Sequence, residues 1–249
     1  MKYTAKYFKD SLPAAKNRQS SVLGRLFHRP VSFWFASIAA NLGITANAVS
    51  YFSVVVAIAA SVLFIINNYA CHIIGALLVI FWLILDGVDG NLARGVKKQP
   101  FGEFADAMGS YILVGLICNT IGFAAYFEGG LLIPAGCPYI ILMGALASSA
   151  DSLMRLIYQK YKSGERELAD QGVIKNSNGS FKDVENARSL PARIEFELGI
   201  AGILQPAILL ASIFHALDLI VIYCFCYYGG SCIVMVLVYV RKAVKAEKL

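Results

Sequence analysis

Three aspartates, Asp86, Asp89 and Asp106, sit where two apolar runs meet, in the stretch ILDGVDGNLARGVKKQPFGEFADAMGSYI at 84–112. Asp86 and Asp89 are three positions apart, so on a helix they share a face about 60° wide. Asp106 opens the next apolar run, after a turn containing Gly95, Pro100 and Gly102. Such a turn brings two helix ends together and points three carboxylates at one volume. Left alone there, repulsion and lost hydration would neutralise some of them. A divalent cation removes that conflict. All-oxygen ligation suits Mg²⁺ or Mn²⁺, is compatible with Ca²⁺ and disfavours zinc. A cation of this kind also binds phosphates, and Arg94 adds a fixed charge suited to a phosphate fork. Gly87 and Gly90 leave space for a ligand to approach the backbone. The plainer alternative is a set of helix-end acids, solvated or paired with Arg94, Lys97 and Lys98. Three grouped acids with glycines between them and an arginine close by weigh against it.

The elements that must position these acids are membrane helices. Of the 249 residues 58% are hydrophobic and 15% charged, against about half and a quarter in a soluble domain. Six apolar segments approach the ~20 residues that cross a ~30 Å hydrocarbon layer: 46–67, 72–91, 104–127, 131–157, 194–214 and 218–240. The basic residues test this count independently. None of the 22 Lys and Arg falls in the turns 67–72, 127–131 or 214–218, whereas residues 1–45, 92–103, 158–193 and 241–249 are rich in them. The positive-inside rule then predicts six spans with both termini cytoplasmic. The expected class is an all-α polytopic membrane protein of the cell membrane. Residues 1–45 form its interfacial amino-terminal segment, 46–241 the six-helix domain with a cytoplasmic loop at 162–190, and 242–249 a basic tail. The net charge of +6 reads as topology and attraction to anionic headgroups, with membrane lipids rather than nucleic acid as partners. Residues 1–30 lack the continuous apolar core of a cleavable signal, and Tyr3, Tyr7, Phe8 and Leu12 among Lys2, Lys6 and Lys9 suit an interfacial amphipathic helix.

The chain resembles the CDP-alcohol phosphatidyltransferases, whose signature is D-x2-D-G-x2-A-R-x8-G-x3-D-x3-D. Asp86, Asp89, Gly90, Ala93, Arg94, Gly102 and Asp106 follow it in order. Upstream, LGITANAVS (42–50) is similar to the family's entry to its first span, with Ala46 in place of proline and Ser50 in place of threonine. Two positions depart within the signature. Seven residues rather than eight separate Arg94 from Gly102, and Ser110 stands where the fourth aspartate would be.

The resemblance implies a transferase that moves a phosphate-linked alcohol from a CDP-linked donor to an acceptor alcohol and releases CMP. Asp86, Asp89 and Asp106 would hold the metal, with Asp106 and Arg94 catalytic. Asp89, Gly90, Ala93, Arg94, Gly102, Asn47 and Thr45 would bind the donor. The donor is either CDP-diacylglycerol with a polar acceptor, or a polar CDP-alcohol with a lipid or lipid-linked glycan acceptor. Ser110 occupies the place of the family's general base, yet a serine hydroxyl has no useful basicity near neutral pH. Either another group is the base, or the acceptor arrives ionised, or the enzyme is slow, or the chain binds without turnover.

Other polar residues are less committed. Asp151 lies within the fourth expected span and Arg155 one turn on, which suits a structural pair. Arg155 and Arg193 also occupy places where the family binds an acceptor's phosphate. His28 is expected at the interface, and His72 and His215 on the side away from the acids. Six cysteines form no CxxC pair and suit helix packing, as do Gly75, Gly122, Gly144 and Gly202. A homodimer is compatible with all of this. A transporter with an acidic cation site is the rival class, but it needs a path across the membrane, and these acids cluster at one end. The topology is directly testable. Cysteines placed at Ser177 and Ser20 in a cysteine-free background should resist an impermeant thiol reagent in intact cells, and labelling before lysis would overturn the orientation.

Overall fold

A computed structural model describes residues 2–18, 20–172, 194 and 196–246. Two short helices, α1 (Ala5–Asp10) and α2 (Ala14–Arg18), lead to a π-helical turn at Gly24–His28 and then α3 (Arg29–Asn41). The long helices follow: α4 (Ala46–Ile65), α5 (Tyr69–Gly95), α6 (Gly102–Glu128) and α7 (Tyr139–Asp170). The short α8 (Leu204–Ile213) precedes α9 (Leu217–Ala246). The class is all-α, with no strand among the described residues. Among the described residues five helices, α4 to α7 and α9, are long and apolar enough to cross a membrane, and the chain is a multi-pass membrane protein.

Local sequence explains the helix limits. Thr45 caps α4 by accepting from the Ala48 N–H at 3.2 Å, and Asn68 caps α5 by accepting from Ala70 and Cys71. Helix α4 packs on α5 and α6, while α7 packs on α6 and α9. Glycine permits the closest of these approaches. A methyl group on Gly75 would meet the Ala60 carbonyl oxygen at 3.1 Å, and one on Gly144 the Cys118 carbonyl oxygen at 2.5 Å. Two expected elements come out differently. Segment 194–214 is interrupted at 199–203, where the Ile203 N–H bonds the Glu197 carbonyl and Gly202 lies against the same group. A side chain at 202 would collide there, and the remaining apolar helix is the ten-residue α8. Residues 162–170, expected in a polar loop, extend α7. Tyr158 and Tyr161 pack on Tyr239 of α9 there, and Lys162 bonds Glu165 at 2.6 Å, so the helix pair continues past the apolar layer.

The two ends of the bundle differ in chemistry. At one end His72, buried in α5, and His215 both bond the carboxylate of Glu128, which ends α6. The two histidines are thus on one side, as expected, but they form a single cluster. Close by, the buried Asp218 accepts from the backbone N–H groups of Leu131 at 3.2 Å, Leu132 at 2.7 Å and Ile133 at 3.0 Å. It holds the α6–α7 connection shut. Asp218→Ala would leave three amides unsatisfied at a cost on the order of 2 kcal/mol or more. The thermal midpoint in detergent should fall by several degrees, and an unchanged midpoint would show that the loop does not depend on this carboxylate.

Candidate active site

The other end holds the signature. Asp86, Asp89 and Arg94 lie in the last turns of α5 and Asp106 in the first turns of α6. The six-residue connection, 96–101, closes with Phe101 in the left-handed region, at φ 58°. Asn47 ties it down: its amide Nδ2 donates to the Pro100 carbonyl at 2.9 Å and its backbone N–H to Gln99 at 3.1 Å. Thr45 and Asn47, expected at the donor, are thus engaged in the cap and this turn. Gly102 faces Asn47, and Ala93 is half-buried against the core.

A cavity of about 270 Å³ lies between these helix ends, α3 and the amino-terminal segment. Asp86, Gly87, Asp89, Gly90, Arg94 and Asp106 line it, so the structure brings the expected acids and arginine together. The Asp86 and Asp106 carboxyls are in hydrogen-bonding contact across the α5–α6 gap. Asp89 is turned the other way, accepting from Ser50 Oγ at 2.6 Å. No ready three-ligand group of acids, histidines or cysteines exists among the described residues. The donor set nevertheless fits a hard divalent cation: it is all oxygen, two carboxyls already touch, and the third is one helical turn away in the same cavity.

Arg94 is aimed by a chain of contacts. Its Nη2 donates to Asn91 Oδ1 at 2.8 Å, Asn91 Nδ2 donates to Ser32 Oγ at 3.0 Å, and Ser32 Oγ donates to the Arg29 carbonyl at 2.9 Å. Gly90 makes room, since a methyl group there would meet the guanidinium at 3.0 Å. Gly87 likewise admits α3, with Ser32 Cβ 2.8 Å from where its methyl would be.

The far wall comes from residues that spacing did not single out: Lys16, Ser20, His28, Arg29 and Ser32, with Phe196 and Ala201 from the segment before α8. This wall is knit internally. Arg29 donates to Ser20 Oγ at 2.6 Å and to the Lys16 carbonyl at 3.2 Å, and Ser21 Oγ donates to the Ala201 carbonyl at 2.7 Å. Tyr7 anchors the segment on the end of α5 by donating to the Gly95 carbonyl at 2.6 Å, with Phe8 buried beside it. Burial, then the charges of Arg94 and Arg29, lower Lys16 below its ordinary range, while Asp86 and Asp106 pull the other way. Lys16 thus shares the cavity wall with both arginines and acids. His28, expected at the interface, is instead 5% exposed.

The remaining expected residues lie apart. Ser110 Oγ donates to the Ala107 carbonyl of its own helix at 3.0 Å and is not among the described cavity residues. Arg155 pairs with Asp151 at 3.4 Å and stands over the Tyr111 ring at 5.6 Å. Arg193 lies outside the described residues.

Acids that share a charge-compensated cavity with a held guanidinium suit phosphate chemistry at a membrane surface, and the comparisons agree. Residues 33–164 match a family in the CDP-alcohol phosphatidyltransferase-like superfamily, and the chain is a membrane phosphotransferase of lipid biosynthesis. That family is the ceramide phosphoethanolamine synthases, and this chain, matched over more than half its length, belongs to it. No curated protein matches the chain.

The chain of contacts behind Arg94 yields a prediction. Asn91→Ala should cut phosphotransfer roughly tenfold to hundredfold by releasing the guanidinium, with thermal stability retained. Arg94→Lys should not substitute for the native residue, since an ammonium lacks the planar fork. Full activity in Asn91→Ala would show that the chain does not position Arg94.

Proposed function

We propose that the protein transfers phosphoethanolamine from CDP-ethanolamine to the primary hydroxyl of a ceramide-type lipid, releasing CMP. The observation that carries this reading is the cavity in which touching carboxyls, Asp86 and Asp106, face Arg94. Family membership supplies the transferred group and the acceptor class. The superfamily supplies the nucleotide-activated donor. In the reaction the acceptor oxygen forms a bond to the phosphorus that carries ethanolamine. The bond from that phosphorus to the bridging oxygen breaks, and CMP leaves with the electron pair.

This chain's own residues divide the work. Arg94, held by Asn91, forks onto the donor's diphosphate and steadies charge developing on the bridging oxygen. Lys16 and Arg29 face the same space and screen the phosphates from the carboxylates. The amino-terminal wall limits water at the phosphorus and so favours the lipid hydroxyl over hydrolysis. Asp86 and Asp106, joined by Asp89 when it leaves Ser50, would hold Mg²⁺ or Mn²⁺. Bound there, the ion would neutralise the diphosphate and organise the acids. With the site cytoplasmic, as the basic residues indicate, a water-soluble donor enters from the cytosol and the acceptor from the bilayer.

The test uses purified full-length protein with Mg²⁺. CDP-ethanolamine, CDP-choline and CDP-diacylglycerol are each offered with ceramide, diacylglycerol or a polar alcohol while CMP and lipid product are followed. CMP release is expected with CDP-ethanolamine and ceramide. Asp86→Asn, Asp89→Asn and Asp106→Asn, or EDTA with the native protein, should each reduce it by about 10²–10³-fold or more. Unchanged CMP release in all three variants would remove the reading.

A further inference from the structure

Lys16, Arg29 and Arg94 share the cavity with Asp86, Asp89 and Asp106, yet the two sets of charges are held apart. Among the described residues no lysine or arginine nitrogen lies within 4 Å of a carboxylate oxygen of these three acids. Elsewhere in the chain such pairs do close: Asp151 meets Arg155 at 3.4 Å, Glu103 meets Lys98 at 3.5 Å and Glu165 meets Lys162 at 2.6 Å. Opposite charges around one partly buried space attract strongly, so side chains that stay apart there are held by other bonds.

Arg29 is held in this way. Its Nε donates to Ser20 Oγ at 2.6 Å and its Nη2 to the Lys16 carbonyl at 3.2 Å, so both bonds run to the amino-terminal segment and neither to an acid. A guanidinium has five N–H donors. With two used, three remain, both on Nη1 and one on Nη2, and they have no protein partner among the described residues. The surrounding segment is fastened in turn. Ser21 Oγ donates to the Ala201 carbonyl at 2.7 Å, and the Val22 N–H donates to the Glu197 carboxylate at 3.0 Å. A π-helical turn, Gly24–His28, leads directly into Arg29, and such turns are frequent at functional sites.

The backbone of Arg29 also belongs to the chain of contacts that aims Arg94. Ser32 Oγ donates to the Arg29 carbonyl and accepts from Asn91, which accepts from Arg94. Two guanidiniums from distant segments are thereby fixed relative to each other around one space. Burial, and then the charge of Arg94, act against the charged form of Arg29, a cost that a bound anion relieves. Two arginine forks with donors to spare suit an anion with two phosphates.

Resting on the phosphotransfer reading, we infer that Arg29 binds the diphosphate of the CDP-linked donor opposite Arg94, so that the amino-terminal segment and α5 form a two-arginine clamp. The separation of charges then has a use: the diphosphate lies between the arginines and the acids, and neither set is neutralised by the other before it arrives. Arg29 precedes residues 33–164, so the family match does not assign it. Ser20 is a positioning residue in this arrangement, since it reaches the donor through the Arg29 guanidinium.

The experiment measures CDP affinity in Mg²⁺, thermal midpoint and the KM values for CDP-ethanolamine and ceramide. It compares full-length native protein with Arg29→Gln, Arg29→Lys, Ser20→Ala and Arg25→Gln. Arg29→Gln should weaken CDP about 10-fold to 100-fold, the range for losing a hydrogen bond between charged groups. The KM for CDP-ethanolamine should rise in parallel, while the KM for ceramide stays within about twofold of native and the midpoint is kept. Because Ser32 uses the backbone carbonyl of Arg29, these substitutions leave the contacts behind Arg94 in place. Arg29→Lys should remain at least about fivefold weaker than native, since an ammonium lacks the planar fork. Ser20→Ala, which frees Nε, should cost about threefold to tenfold, as for a neutral hydrogen bond. Arg25 is exposed and does not line the cavity, so Arg25→Gln should bind CDP within about twofold of native. Native-like CDP affinity in Arg29→Gln overturns the clamp, as does an equal loss in Arg25→Gln, which would show diffuse attraction to basic charge. If neither Arg29 variant folds, Ser20→Ala decides, and unchanged CDP affinity there overturns it. Native protein that neither binds CDP nor releases CMP from any donor sinks the phosphotransfer reading and the clamp together. Native turnover with CDP affinity indifferent to Arg29 sinks the clamp alone.

Discussion

Carboxylates at the edge of a low-dielectric bundle dictate the arrangement of this protein's polar end. Asp86, Asp89 and Asp106 line one cavity, and burying such charges without compensation is prohibitive. Each surrounding element supplies part of the answer. Helix α4 sends Ser50 to Asp89, α5 turns Arg94 back toward the acids, and the amino-terminal segment contributes Lys16 and Arg29. Compensation by fixed groups remains incomplete, since Asp86 and Asp106 still touch each other. A site left in this condition is suited to a ligand that brings cation and phosphate together.

Close backbone approach makes the compensation geometrically feasible. Gly87 lets α3 lie against α5 so that Ser32 can reach Asn91, and Gly90 clears the path along which the Arg94 side chain folds back. Gly95 accepts the rings of Tyr7 and Phe8, which seat the amino-terminal segment over the cavity. These glycines therefore have two roles here. They leave room for a ligand, and they let α3 and a surface segment meet α5 without side chains between them.

The opposite end is compensated entirely within the protein. Glu128 is satisfied by two histidines, and Asp218 by three backbone amides of one loop. Both carboxylates hold connections in place. The contrast is functionally informative: the same residue type is closed off at one end and faces a cavity at the other.

Much of this was legible from the sequence. Hydropathy over 20-residue windows, the side bias of Lys and Arg and the three-residue spacing of Asp86 and Asp89 are local properties. Helix geometry converts the first into apolar helices and the last into a shared acidic face, so the all-α membrane class and the acid–arginine grouping followed. The break at 199–203 carried only a weak signal in Gly199 and Gly202, and α7 outran its apolar stretch because its Tyr158 and Tyr161 pack on Tyr239 of α9. What only the tertiary structure decided is the amino-terminal wall. Lys16 and Arg29 are two of seven basic residues before residue 45, and nothing in their spacing separates them from Lys2 or Arg18. His28 reads as an interfacial residue, yet in the fold it is buried at the edge of the cavity. Side-chain spacing within one helix is set by the 3.6-residue turn, whereas contacts between segments about 70 residues apart depend on packing, which no local pattern encodes.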